Sequence, residues 1–184
     1  PYVNEGINLF PHQAEGLAKL AASPESAVVD VSTGGGKTPF GIYDALIQIA
    51  KGNVSRCLFI VPLSLIGQWI SQIRFFTQGQ VNVIPITTDS VNSFGEDRIE
   101  SMCQSAPPNT LFITSMSYLS SSALEISKGI FAYPRAEWLR ETVKPDYIWI
   151  DESHKIKSQK THVYNAVAKL GSDVKVKRIA TGTL

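Results

Sequence analysis

The chain has 184 residues, 43% of them hydrophobic, and a formal net charge of +1. That supplies one sizeable core and excludes both a global basic field and, since no apolar run approaches the ~20 residues needed to cross a bilayer, a membrane helix. Cys57 and Cys103 are isolated and His12, His154 and His162 show no ligand spacing with them, so neither a zinc site nor a disulfide framework is implied. With no signal-type segment at the start, the expected setting is reducing: cytoplasmic, or nuclear in a eukaryote.

Pro11-His12-Gln13 reads as a helix start. Ala27-Val28-Val29-Asp30-Val31 then reads as a short buried strand, and Ile42, Ala45, Leu46 and Ile49 recur at helical spacing. Between them stands Ser32-Thr33-Gly34-Gly35-Gly36-Lys37-Thr38, so the order is strand, glycine loop, helix. In that order Thr33, Gly34, Gly35 and Gly36 can turn backbone N–H groups onto phosphate oxygens beside the positive end of the helix. Lys37 can reach the outer phosphates, and the Thr38 hydroxyl can join a magnesium ion. Pro39 fits the first helical turn. The full phosphate-loop pattern asks for a glycine five residues before Gly36, where Val31 stands.

Cys57–Val61 forms a second strand, and Leu65, Ile66, Trp69, Ile70, Ile73 and Phe76 mark one face of a helix in which Trp69 is expected to be core. Val81–Ile86 is a third strand and Leu111–Ile113 a fourth. The stretches 87–109 and 120–144 look like surface insertions, the first with a short helix over Asp97–Cys103 and the second helical in parts. Val163, Val167 and Leu170 mark a further helix that Gly171 ends, and Arg178–Thr181 reads as a sixth strand. Lys155, Lys157, Lys160, Lys169, Lys175, Lys177 and Arg178 face only Asp173, which gives either a basic patch or an ordinary solvated surface. Alternation of this kind predicts an α/β fold over residues 1–184, a mostly parallel sheet flanked by helices on both faces.

Strand five, Tyr147-Ile148-Trp149-Ile150, is apolar throughout and ends in Asp151-Glu152. A carboxylate pair there lies at the carboxyl edge of the sheet, where the glycine loop also opens. Asp151 can hold Mg²⁺ through water while Glu152 orients or deprotonates an attacking water. ATP and Mg²⁺ are therefore the expected ligands, with Lys37, Asp151 and Glu152 as the catalytic set.

Together these runs resemble the first RecA-like lobe of superfamily-two helicases and translocases, most closely the SWI/SNF-type translocases of double-stranded DNA. Leu9-Phe10-Pro11-His12-Gln13-Ala14-Glu15-Gly16-Leu17 resembles that family's opening element, which implies that Gln13 reads the adenine edge; an amide can pair with adenine N6 and N7. Pro62-Leu63-Ser64-Leu65-Ile66-Gly67-Gln68-Trp69 and Phe112-Ile113-Thr114-Ser115-Met116-Ser117-Tyr118 are similar to segments that touch the DNA backbone, which implies Ser64, Thr114 and Ser115 as phosphate contacts. Asp151-Glu152-Ser153-His154 matches a DEAH-type box, with serine where alanine or glycine is usual. The resemblance implies that His154 bridges to Thr181-Gly182-Thr183, which couples hydrolysis to DNA contact; Leu184 stands where proline is usual. It further implies a RecA-like P-loop NTPase fold, duplex DNA as partner, no membrane, and a second RecA-like lobe, absent from this chain, that supplies transition-state arginines. A strand-separating helicase, a restriction-motor subunit and a nucleotide-dependent binding module without turnover remain open alternatives. A small-molecule phosphotransferase has no place for the glutamine element, the acidic box or the Thr-Gly-Thr strand.

Overall fold

The computed structural model describes residues 9–23, 25–30, 36–153, 158 and 160–182. Six strands form one parallel sheet in the order β1-β8-β7-β2-β4-β3: β1 Ala27–Asp30, β2 Cys57–Val61, β3 Asn82–Ile86, β4 Thr110–Ser115, β7 Tyr147–Ile150 and β8 Val176–Thr181. The remaining two, β5 Leu124–Ser127 and β6 Ile130–Ala132, make a separate antiparallel hairpin.

Period-two alternation sorts the central strands between two cores. Cys57, Phe59 and Val61 of β2 join Tyr147 and Trp149 of β7 on one face, beneath α1 (Pro11–Ala22), α2 (Lys37–Ala50) and α3 (Ile66–Phe76). Leu58 and Ile60 join Ile148 and Ile150 on the other, beneath α5 (Glu96–Gln104), α6 (Met116–Ser120), α7 (Pro134–Val143) and α8 (His162–Leu170). Burial on both faces explains why these strands are apolar without interruption. Helix α2 approaches the sheet so closely that a Cβ on Gly41 would lie 2.8 Å from Trp149 Cε2.

Three expectations need correction. The stretch 87–109 holds two helices, α4 (Thr88–Phe94) and α5. Thr87 starts α4 by accepting from the Ser90 N–H while the Ser90 hydroxyl accepts from the Thr87 N–H. Neither this stretch nor 120–144 is a mere surface insertion, because Ile99, Cys103, Ala136, Leu139 and Val143 build the second core. The latter also contains the β5–β6 hairpin, whose turn places Gly129 at φ 75°. Lastly, Arg178 does not belong to a solvated basic surface.

Arg178 is fully buried, as is Asp44, and its Nε donates to Asp44 Oδ2 at 2.8 Å. Its guanidinium also donates to the carbonyls of Leu20, Ser23 and Glu25 at the end of α1 and just beyond. Asp44 in turn accepts from the Tyr147 hydroxyl at 2.9 Å and from Gln48 Nε2 at 3.3 Å. One charged pair thus ties α1, α2, β7 and β8 together, with its hydrogen-bonding capacity largely used. Burial first, then the Asp44 charge, holds the Tyr147 hydroxyl well above the usual tyrosine range.

Candidate functional site

The parallel register brings the ends of β1, β8 and β7 to one edge of the sheet. Asp30 closes β1 beside Thr181 of β8, and Ile150 closes β7 beside Ile179. Asp151 and Glu152 follow β7 directly, and Gly182 follows Thr181. Helix α2 begins at that same edge with Gly36 as its N-cap, in a left-handed conformation and with no side-chain cap. This is the arrangement in which open α/β sheets bind ligands.

The decisive contact joins residues 115 positions apart: Lys37 Nζ lies 2.6 Å from Glu152 Oε1. Both side chains are mostly covered, at 11% and 23% exposure. A lysine in the first turn of α2 and a carboxylate after β7 therefore face one shared space. Thr38 is half-buried beside Lys37. Glu152 holds φ at 52°, a left-handed conformation that costs a non-glycine residue roughly 1–2 kcal/mol. Strain of that kind is stored where the chain turns after Asp151.

Asp151 is 3% exposed. Its Oδ2 accepts from Trp69 Nε1 at 3.2 Å, and its Oδ1 accepts from the Glu152 N–H at 3.0 Å. Burial raises its pKa, while the Trp69 hydrogen bond and the Lys37 charge oppose that rise. A raised carboxylate pKa means that Asp151 lowers the stability of the fold as pH climbs through its titration, a cost carried for the sake of its position.

Gln13 is buried in the first turn of α1, and its Oε1 accepts from the Phe10 N–H at 3.0 Å. Its Nε2 rests against Gly36, so closely that a Cβ there would come within 2.3 Å. Gly36 is thus required twice, by its φ of 87° and by lack of room. The Gln13 oxygen keeps a second lone pair, so its link to Phe10 does not exhaust its capacity.

Thr114 and Ser115 are fully buried. The Thr114 hydroxyl donates to the Ile86 carbonyl at 2.7 Å, and Ser115 caps α6 by accepting from the Tyr118 N–H at 3.0 Å. Neither hydroxyl is offered to a nucleic-acid backbone. The exposed ones on this side are Ser64, in the 3₁₀ turn Leu63–Leu65, and Ser117; they share a shallow cleft of about 620 Å³ with Pro62, Met116, Ser120 and Val163. Thr33, Gly34, Gly35, His154 and Thr183 lie outside the described residues.

Sequence reasoning missed the contact between Trp69 and Asp151. Trp69 is core, as its helical spacing indicates, but no motif pairs an indole with a carboxylate 82 residues away.

The family model of the SNF2-related domain matches residues 22–183. The chain belongs to this family. The matched span includes Lys37, Asp151 and Glu152 but not Gln13, whose expected role rests on the resemblance of the opening element. Among solved structures, this SNF2-related domain is similar to the Sulfolobus solfataricus SWI2/SNF2 ATPase core in complex with dsDNA. The sequences are 20% identical, the TM-score is 0.69, and the match covers 100% of this chain but 34% of that one. The SNF2-related domain described here therefore spans about a third of that chain's length. The likeness establishes a shared RecA-like fold. No curated protein matches the chain.

Proposed function

We propose that the chain is the nucleotide-binding lobe of an ATP-dependent motor that moves along duplex DNA. The observation that carries this reading is the contact between Lys37 and Glu152 across the carboxyl edge of the sheet. Membership in the SNF2-related family supports it, as does the similar ATPase core solved with dsDNA.

The residues present suit a magnesium nucleotide. Gly36 leaves no room for a side chain at the start of α2, and the uncapped helix end favours an anion. Among the described residues no three His, Cys, Asp or Glu side chains cluster. Mg²⁺ carried by phosphates needs only one or two protein oxygens, and Asp151 with Thr38 supplies them. When bound, the ion would neutralise charge on the transferring phosphate. Lys37 would exchange Glu152 for the outer phosphates, leaving the Glu152 carboxylate to accept a proton from the attacking water. Ser64, with Ser117, would meet phosphates of the duplex backbone in the cleft, while Thr181 and Gly182, at the end of β8 between β1 and β7, would couple hydrolysis to DNA contact. A second RecA-like lobe would supply arginines worth about a thousandfold or more in rate, so the 184-residue chain by itself should turn over little ATP.

The test uses the complete protein. Lys37→Ala and Glu152→Gln should each lower DNA-stimulated ATP hydrolysis at least a hundredfold while circular dichroism shows the fold unchanged. Wild-type hydrolysis by either variant would overturn the assignment.

A further inference from the structure

The Asp151 carboxylate at the site is held in part by a tryptophan. Trp69 is 1% exposed on α3, with its ring wedged between Phe59 (centroids 5.2 Å apart) and Trp149 (6.4 Å). A Cβ on Gly41 would lie 3.1 Å from its Cη2, so α2 closes a further side of the ring. An indole packed in this way has no alternative rotamer, and its N–H direction is fixed. That N–H meets Asp151 Oδ2 at 3.2 Å in a buried setting, while the Glu152 N–H holds Oδ1. Trp149 provides the contrast, because its indole N–H is equally buried in the same cluster and finds no hydrogen-bond partner among the described residues. Aromatic packing alone therefore does not require a bonded indole here; the Trp69 N–H is aimed.

We propose that Trp69 is a positioning residue for Asp151, its indole N–H fixing the rotamer of the carboxylate that meets a nucleotide-bound magnesium ion. The inference rests on the nucleotide reading given above and adds to it a named residue outside the glycine loop and the acidic box. Partners of this kind typically change metal affinity by about 10–100-fold when removed. Each Asp151 oxygen accepts one of these two bonds and keeps lone-pair capacity for a cation or its water. The side chain is thus held without being consumed.

The experiment uses the chain with ¹⁵N-labelled indoles, whose three signals belong to Trp69, Trp138 and Trp149 and are assigned by single replacement with phenylalanine. Without any ligand, Asp151→Asn should shift the Trp69 indole proton upfield, as expected for exchange of a charged acceptor for a neutral one, and leave Trp138 in place. Trp69→Phe keeps an aromatic ring and removes the donor. It should weaken binding of ADP with Mg²⁺ about tenfold, while binding of ADP in EDTA stays within about twofold. An unmoved Trp69 signal in Asp151→Asn, or equal loss for metal-bound and metal-free ADP, overturns the proposal. If Trp69→Phe fails to fold, the Asp151→Asn spectrum decides. Failure of the unsubstituted chain to bind ADP in either form refutes the nucleotide reading instead, a result separate from the indole shift.

Discussion

Asp44→Ala is the sharpest test of the fold. The substitution removes the only charged partner of the Arg178 guanidinium among the described residues and leaves that cation among carbonyls, with both positions at 0% exposure. Removing one member of a buried ion pair costs about 3–5 kcal/mol. In a chain of this size that lowers Tm by about 6–20 °C, a large part of a typical 5–15 kcal/mol total. Arg178→Met should cost a similar amount by stranding the Asp44 carboxylate, although the Tyr147 hydroxyl and the Gln48 amide soften the loss. Asp44→Ala with Arg178→Met removes both charges. That pair should cost much less than the sum, retaining about 1–3 kcal/mol because the Leu20, Ser23 and Glu25 carbonyls lose a donor that methionine cannot replace. Urea unfolding followed by circular dichroism, completed as a double-mutant cycle, measures all three. A single variant costing under about 1 kcal/mol, or a double variant costing the full sum, would show that the pair does not hold α1, α2, β7 and β8 together.

Gly36→Ala should lower affinity for ATP at least tenfold by calorimetry and destabilise the chain by about 1–2 kcal/mol, since φ is 87° and the new Cβ meets Gln13; unchanged affinity would separate Gly36 from the site. Stability should fall as pH rises above about 9. Burial holds the thiol of Cys103 at about 11 and the hydroxyl of Tyr118 at about 12, and sets Cys57 and Tyr147 well above their ordinary range. The unfolded chain therefore releases these protons first, and the loss continues until the folded-state values are passed. Urea midpoints at pH 7, 9 and 10 should decrease in that order; a rise would contradict the burial of these groups.

The sheet was legible because its central strands are short apolar runs flanked by turn or charge signals, and β2 coincides with the expected Cys57–Val61. The helices of the second face were harder to read. Helix α5 carries only Ile99 and Cys103 as fully buried positions on an otherwise polar surface. The Thr87 and Ser90 exchange that starts α4 is a readable cap, but Ser in place of Glu or Gln weakens the pattern. The hairpin had its own cue, alternation in Leu124–Ser127 followed by Lys128-Gly129, and exposed apolar side chains at Leu124, Ile126 and Ile130 blurred it.

At the site, the legible residues are those whose chemistry depends on near neighbours in sequence. Glycines ahead of Lys37 and Thr38 announce a helix end, and adjacent acids after an apolar strand announce a sheet edge. What stayed hidden are the pairings made across the fold. Arg178 reads as one more surface cation until β8 is placed beside β1 and its side chain runs under α1 to Asp44. Thr114 and Ser115 resemble residues that touch a DNA backbone, yet β4 is flanked by β3 and β2 and followed by α6; the Thr114 hydroxyl bonds Ile86 of β3 and Ser115 caps α6, so both serve the scaffold. Trp69 shows the same rule from the other side. Its helical spacing correctly gives burial, but burial says nothing of where its single donor points, and that direction is set by Phe59, Trp149 and Gly41, which lie on three other elements. A sequence motif therefore marks the groups proposed to meet a ligand, while the groups that hold them in place are defined only by packing.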